Sequence, residues 1–201
     1  MLAVIDYGGG NLGSLVAALR RRGADFTVSS DPKVVANAAG AIFPGDGAFA
    51  ATMHALVVQE LDDAIRALVV RGRPFLGICV GMQVLYERSA EFGDAPGLGI
   101  FPGTIERFSD TAPRVPHMGW NALEVRRAHP LLAGLPSQPY AYFLHSYRAA
   151  EGEETIAAAT HGERFSAVVA RDNVMGTQFH PEKSQHTGAK ILDNFLRQIE
   201  E

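Results

Sequence analysis

The chain has 201 residues, 47% of them apolar and 20% charged, which at this length is enough for one well-packed domain, residues 1–201, and excludes a disordered tail, a coiled coil or a collagen-like repeat. A net charge of −4 without any basic block argues against a charged nucleic-acid surface. The single cysteine, Cys79, rules out an internal disulfide and a multi-thiolate metal site, and suits a reducing, cytoplasmic setting.

The opening Met-Leu-Ala-Val-Ile-Asp run has no basic start, so neither a signal peptide nor a membrane span is expected. Residues 2–6 read as a strand broken by Gly8-Gly9-Gly10-Asn11. A helix over 14–22 ends near Gly23, and strands are predicted over 26–29 and 41–44. Apolar residues at Leu61, Ile65, Leu68 and Val69 predict a helix over 56–71, capped by Gly72. A strand over 74–78 runs into Cys79 and a helix over 81–87. This alternation argues for a parallel sheet covered by helices. Beyond residue 100, short strands are predicted over 104–108, 121–125, 140–146, 155–159, 167–170 and 174–179, with a closing helix over 184–199. The fold expected is α/β: a mixed, mainly parallel central sheet flanked by helices, with an antiparallel, strand-rich portion in the C-terminal half.

Gly77-Ile78-Cys79-Val80-Gly81 is the sharpest local signal. A strand turns abruptly into a helix, and flanking glycines relieve the crowding, as in a nucleophile elbow. The turn puts the sulfur near a helix N-terminus, where partial positive charge favours thiolate. A free cysteine is more often a small buried hydrophobe; the two glycines favour a nucleophile. Such a nucleophile needs an imidazole base and a third group to orient it. Gln178-Phe179-His180-Pro181-Glu182 supplies both, because residues two apart in an extended segment share a side. Pro44-Gly45-Asp46-Gly47 lies at a strand's carboxyl end, where sites collect in parallel sheets, and can offer backbone N–H groups to an oxyanion.

Gly8-Gly9-Gly10-Asn11-Leu12-Gly13, with Asp31 further on, matches a dinucleotide fingerprint. A nicotinamide enzyme would leave the elbow cysteine and the His-Pro-Glu segment without a role. The remaining histidines (His54, His117, His129, His145, His161, His186) show no metal-ligand spacing.

Together, the Gly-x-Cys-x-Gly, His-Pro-Glu and Pro-Gly-x-Gly segments resemble the class I (triad) glutamine amidotransferases. The resemblance spans almost the whole chain and implies a triad of Cys79, His180 and Glu182. It also implies oxyanion donors from Gly45, Asp46, Gly47 and Val80, and a glutamine pocket formed by Gln83, Glu91 and the backbone of Ser146 and Tyr147. No metal or cofactor is implied. Asp6-Tyr7-Gly8-Gly9-Gly10-Asn11, Val115-Pro116-His117-Met118-Gly119-Trp120-Asn121 and Phe143-Leu144-His145-Ser146-Tyr147 are similar to the branch of the family that works in histidine biosynthesis. That branch implies a heterodimer with a (β/α)8-barrel cyclase subunit, which uses the ammonia to make imidazole glycerol phosphate and AICAR. Asn11, Trp120, Tyr142 and Lys183 match its interface positions. Many relatives carry an apolar residue where Asp46 stands; a carboxylate there is expected to point away from the oxyanion. A glutaminase serving another synthase, a partner-free cysteine hydrolase and a non-catalytic member of the fold are the rival readings.

Overall fold

The computed structural model describes residues 1–10 and 12–200. In chain order its elements are β1 (Leu2–Ile5), α1 (Leu12–Arg20), β2 (Phe26–Ser29), α2 (Pro32–Ala36), β3 (Gly40–Gly45), α3 (Phe49–Val58), α4 (Leu61–Val70), β4 (Phe75–Cys79), α5 (Val80–Gln83), β5 (Tyr86–Ser89), β6 (Ala95–Pro96) and β7 (Phe101–Arg107). They continue with β8 (His117–Ala122), β9 (Glu124–Val125), β10 (Tyr140–His145), β11 (Tyr147–Ala149), β12 (Thr155–His161), β13 (Glu163–Arg171), β14 (Val174–Thr177) and α6 (Gln185–Glu200).

The central sheet runs β2-β1-β3-β4-β14-β13-β12-β9. Its first five strands are parallel, and β13, β12 and β9 extend it antiparallel. The last strand before the closing helix, β14, pairs in parallel with β4, so the C-terminal half completes the sheet begun by the N-terminal half. A small sheet, β11-β7-β5-β6, and a two-stranded antiparallel sheet, β8–β10, complete the fold.

The parallel strands are apolar on both faces because both faces are covered. In β1, Leu2 and Val4 join Leu15 and Leu19 of α1 and Ile191, Leu192 and Phe195 of α6 in one core. Ala3 and Ile5 face the opposite core with Val35, Leu56, Leu61, Ile65 and Leu68 of α2, α3 and α4. Each such Leu, Ile or Phe contributes roughly 1.5–3 kcal/mol on full burial.

Three local expectations change. The helix expected over 56–71 is two helices, broken at Glu60, whose φ of 58° is left-handed. Leu61 is buried while Val57 and Val58 are exposed, and Gln59 leaves the helix direction to donate from Nε2 to the Tyr7 carbonyl at 2.9 Å. The helix expected over 81–87 stops at Gln83, and Tyr86 and Glu87 enter β5 beside β7. Asp31, which mimicked a ribose-binding acid, instead caps α2, accepting the Lys33 N–H at 2.8 Å.

Candidate active site

Three adjacent parallel strands deliver the site. Gly45 at the end of β3 lies in register with Cys79 at the end of β4, and Thr177 at the end of β14 pairs with Ile78. The carboxyl edge of one sheet thus brings together the Pro44–Gly47 loop, the elbow and the segment leading to His180.

Cys79 has φ 54° and ψ −113°, a conformation that costs a non-glycine residue about 1–3 kcal/mol and clusters at active sites. The packing behind it explains the flanking glycines. A Cβ on Gly77 would collide with the Gly81 carbonyl, and one on Gly81 with the Phe43 carbonyl of β3. Only bare backbone lets α5 fold back so tightly on β4 and β3. Because α5 is a single turn, its dipole is small. The positive charge beside the sulfur therefore comes from His180.

His180 is almost fully buried, 3% exposed, and its Nδ1 lies 2.9 Å from Glu182 Oε1. His180 itself is extended, but Pro181–Lys183 form a 3₁₀ turn rather than a continuing strand, and that turn brings the carboxylate back to the ring. Burial alone would lower the pKa of the imidazole. Hydrogen bonding and charge attraction to Cys79 and to Glu182 outweigh it and push the pKa up to about 10. The other carboxylate oxygen, Glu182 Oε2, is buried with no hydrogen-bond partner among the described residues. The ring is further fixed through its backbone: the His180 N–H donates to the Tyr142 carbonyl at 3.2 Å, and the Ser184 hydroxyl donates to the His180 carbonyl at 2.7 Å.

A cavity of about 270 Å³ opens beside the sulfur, lined by Asp46, Gly47, Cys79, Val80, Gln83, Glu91, Leu144, His145, Ser146 and Tyr147 among others. A larger groove of about 440 Å³ around Tyr86, Arg127 and Glu154 contains none of the triad. Of these two, the smaller cavity is the candidate active site, because it holds Cys79.

Residues 3–199 match the family described as glutamine amidotransferase class-I. The chain belongs to that family. It is 45% identical to the imidazole glycerol phosphate synthase subunit HisH of Salinibacter ruber over 97% of this chain and 93% of that protein. Its counterpart in Synechococcus sp. (strain JA-2-3B'a(2-13)) is 48% identical over 97% of this chain and 91% of its own length. Among solved structures, one described as a glutamine amidotransferase superposes with a TM-score of 0.77 at 20% identity, covering 99% of each chain. The glutaminase domain of Trypanosoma brucei CTPS with bound acivicin superposes with a TM-score of 0.67 at 13% identity, covering 99% of this chain and 93% of that one. At those identities the structural likeness carries the fold alone.

In this amidotransferase the loop expected to supply oxyanion donors is held by Tyr7. The Tyr7 hydroxyl donates to the Asp46 carbonyl at 3.0 Å and accepts the Asp46 N–H at 3.2 Å. The N–H expected to serve an oxyanion is thus turned toward Tyr7. The Asp46 side chain, expected to point away, instead approaches the triad, its Oδ1 lying 3.9 Å from His180 Nε2. The cause is twofold. Tyr7 clamps the peptide while Gly47, at φ 106°, lets the chain turn beyond it, and the imidazole's positive character attracts the carboxylate.

Gln83 is buried, and its Nε2 donates to the Tyr147 carbonyl at 2.9 Å and to Gln178 Oε1 at 3.1 Å. Glu91 Oε2 accepts the Phe49 N–H at 2.6 Å at the start of α3, leaving the carboxylate at the cavity wall. Three contributors had no role in the sequence reading. One is Gln178, whose Nε2 lies 3.9 Å from the sulfur. The others are Tyr7 and Ser184. Gln178 and Tyr7 sit inside distinctive strings and Ser184 lies two residues beyond one, but nothing in their residue types announces a contact.

The β8–β10 pair places Trp120 opposite Tyr142, with ring centroids 6.1 Å apart. Met118, Trp120, Tyr140 and Leu144 expose apolar surface there, and Lys183 lies in the adjoining turn. Asn11 lies outside the described residues.

The buried histidines make stability depend on pH in both directions. Burial lowers His117 to about 4, with His161 adding to the effect, and lowers His145 to about 3, so both rings are neutral when folded. Below about pH 6.5 the unfolded chain binds a proton at each ring that the folded chain refuses. Each ring then removes about 1.4 kcal/mol per pH unit until its folded pKa is reached. His180, with its raised pKa, contributes fully below about pH 6.5 and loses its contribution as pH climbs toward 10. The urea midpoint is expected to fall on both sides of neutrality. A midpoint unchanged between about pH 6.5 and the value of about 4 set by His117 would contradict neutral buried rings.

Proposed function

We propose that the protein is the glutaminase subunit of an imidazole glycerol phosphate synthase. It hydrolyses glutamine through a cysteine thioester and passes the ammonia to a cyclase subunit in histidine biosynthesis. The observation that carries this reading is the meeting of a strained elbow cysteine with a buried His180–Glu182 pair at the ends of neighbouring strands.

The Cys79 thiolate attacks the side-chain amide carbon of glutamine, and the carbonyl π electrons move onto oxygen. Backbone N–H groups of Val80 and of the Gly45–Gly47 loop receive that oxyanion once the Asp46 peptide turns away from Tyr7. The His180 imidazolium protonates the departing nitrogen, the C–N bond breaks, and ammonia leaves a γ-glutamyl thioester. Neutral His180 then takes a proton from water, which attacks the thioester and releases glutamate, restoring the thiolate–imidazolium pair. Glu182 holds the ring throughout. Gln83, Glu91 and the Ser146–Tyr147 backbone hold the substrate, the Glu91 carboxylate suiting its α-ammonium group.

Free ammonia in water is protonated at neutral pH and loses its nucleophilicity, so transfer requires a closed interface. Trp120, Tyr142, Lys183 and Asn11 form that contact with a (β/α)8-barrel cyclase subunit in a heterodimer. The exposed apolar strip of β8 and β10 supports this assignment. The sheet shared by both halves supports one domain over residues 1–201. A cytoplasmic location accords with the lone thiol, and among the described residues no helix is long and apolar enough to cross a membrane.

The test uses amide-¹⁵N glutamine, the cyclase subunit, its phosphoribulosyl substrate and excess unlabelled ammonium at neutral pH. The imidazole product is expected to carry ¹⁵N. Unlabelled product would contradict internal transfer, and absence of product formation from glutamine would contradict the assigned partner.

A further inference from the structure

The string His117-Met118-Gly119-Trp120-Asn121 alternates along β8. Met118 and Trp120 are exposed, whereas His117 is buried and Asn121 half-buried. The outward positions suit the partner face. The inward ones meet β10, where His117 pairs with His145. His117 Nδ1 lies 3.1 Å from His145 Nε2, His117 Nε2 lies 3.2 Å from Asn121 Nδ2, and His145 Nδ1 lies 2.9 Å from the Tyr147 carbonyl.

Donors and acceptors fix the direction of this series. A carbonyl oxygen only accepts, so His145 carries its proton on Nδ1. At the other end, Asn121 Oδ1 accepts the Ala122 N–H at 2.8 Å and Asn121 Nδ2 donates to the Thr160 carbonyl at 2.8 Å. That orientation turns an amide hydrogen toward His117 Nε2, which accepts it. His117 then donates from Nδ1 to His145 Nε2. Every polar atom is matched only if both rings are neutral and both carry the Nδ1 proton. Their surroundings keep them uncharged. Phe108, Phe143 and Phe165 pack around the pair, and His161 stacks on His117 with centroids 4.1 Å apart. The charge of His180 acts on His145 from the triad side.

The chain ends at the cavity. The Tyr147 carbonyl also accepts Gln83 Nε2, Gln83 reaches Gln178, and Gln178 faces the sulfur. The Leu144 carbonyl, just before His145, lies 3.9 Å from Cys79 Sγ. Two donors therefore pin the backbone that forms one wall of the pocket.

We propose that His117 and His145 are positioning residues for the glutaminase reaction, forming with Asn121 a one-way hydrogen-bond chain that fixes the Leu144–Tyr147 backbone against which glutamine binds. This rests on the reading of the cavity as the glutamine site.

Two measurements test it. In the ¹⁵N-labelled full chain, long-range ¹H–¹⁵N spectra are expected to show both rings as Nδ1–H tautomers. An Nε2–H tautomer at either ring would overturn the proposal, whatever the activity. In the complex with the cyclase subunit, His117→Leu is expected to raise KM for glutamine about tenfold, the effect of losing one hydrogen bond. kcat per Cys79 labelled by an electrophilic glutamine analogue should stay within about twofold. His117→Asn, which keeps an N–H near the Nδ1 position, is expected to recover most of the loss. An unchanged KM in folded His117→Leu, or an Asn variant as impaired as the Leu variant, would also overturn it. If the cavity were not the glutamine site, the wild-type chain would fail to label at Cys79, a result separate from the ring tautomers.

Discussion

Replacing Cys79 with serine is expected to lower glutamine hydrolysis by roughly 10⁴–10⁶-fold, the scale seen when the nucleophile of a catalytic triad is removed. A serine hydroxyl does not form the anion that a thiol forms beside an imidazolium. His180 would also lose one of the two interactions that hold its pKa up, so the proton needed by the leaving nitrogen would be held less firmly. Folding should survive. Serine occupies nearly the same space, and the left-handed backbone at φ 54° costs it about as much as it costs cysteine. The check is steady-state glutamate release by Cys79→Ser in the cyclase complex, with thermal unfolding and complex formation measured in parallel. Retained hydrolysis would remove Cys79 from the mechanism.

The second large effect concerns the resting loop. With the Asp46 N–H engaged by the Tyr7 hydroxyl, the developing oxyanion lacks one donor, a loss of about 10²–10³ in rate. Glutamine turnover by the isolated chain is therefore expected to rise by that order when the cyclase subunit and its ligand are bound. Tyr7 sits where such a signal can enter. A Cβ on Gly9 of the glycine-rich first loop would press on the Tyr7 ring, so movement of that loop reaches the clamp directly. Tyr7→Phe keeps the ring and its edge contact with Phe43, 5.0 Å between centroids, but removes both hydrogen bonds to Asp46. Partner-free turnover is expected to increase about tenfold or more, narrowing the activation ratio. An isolated wild-type chain already at full rate, or a Tyr7→Phe variant with the wild-type ratio, would show that the clamp does not limit the reaction.

What could be read from the sequence was what rests on short-range constraint. Gly77 and Gly81 announce a tight turn because any side chain there would strike backbone, and His180 with Glu182 announces an oriented imidazole because the two are only two residues apart. The parallel β1–β4 region follows from alternating apolar runs and helices. Long-range pairing was not legible. Nothing local says that Val174–Thr177 lies beside Phe75–Cys79, although that pairing is what carries His180 to the sulfur. Nor does local pattern reveal that Tyr7 clamps Asp46 across 39 positions, so charge repulsion from an oxyanion alone predicts a carboxylate that faces away. The helix break at Glu60 has the same origin: a buried Leu61 and a tertiary contact of Gln59 override a continuous helical spacing.

The thioester is the chemical commitment on which all of this depends. Mass spectrometry of acid-quenched cyclase complex under turnover with glutamine tests it most directly. A glutamyl group is expected on the peptide containing Cys79, lost on hydroxylamine treatment and absent from Cys79→Ser. An adduct on another residue, or none while glutamate accumulates at the full rate and an electrophilic glutamine analogue leaves Cys79 unmodified, would contradict it.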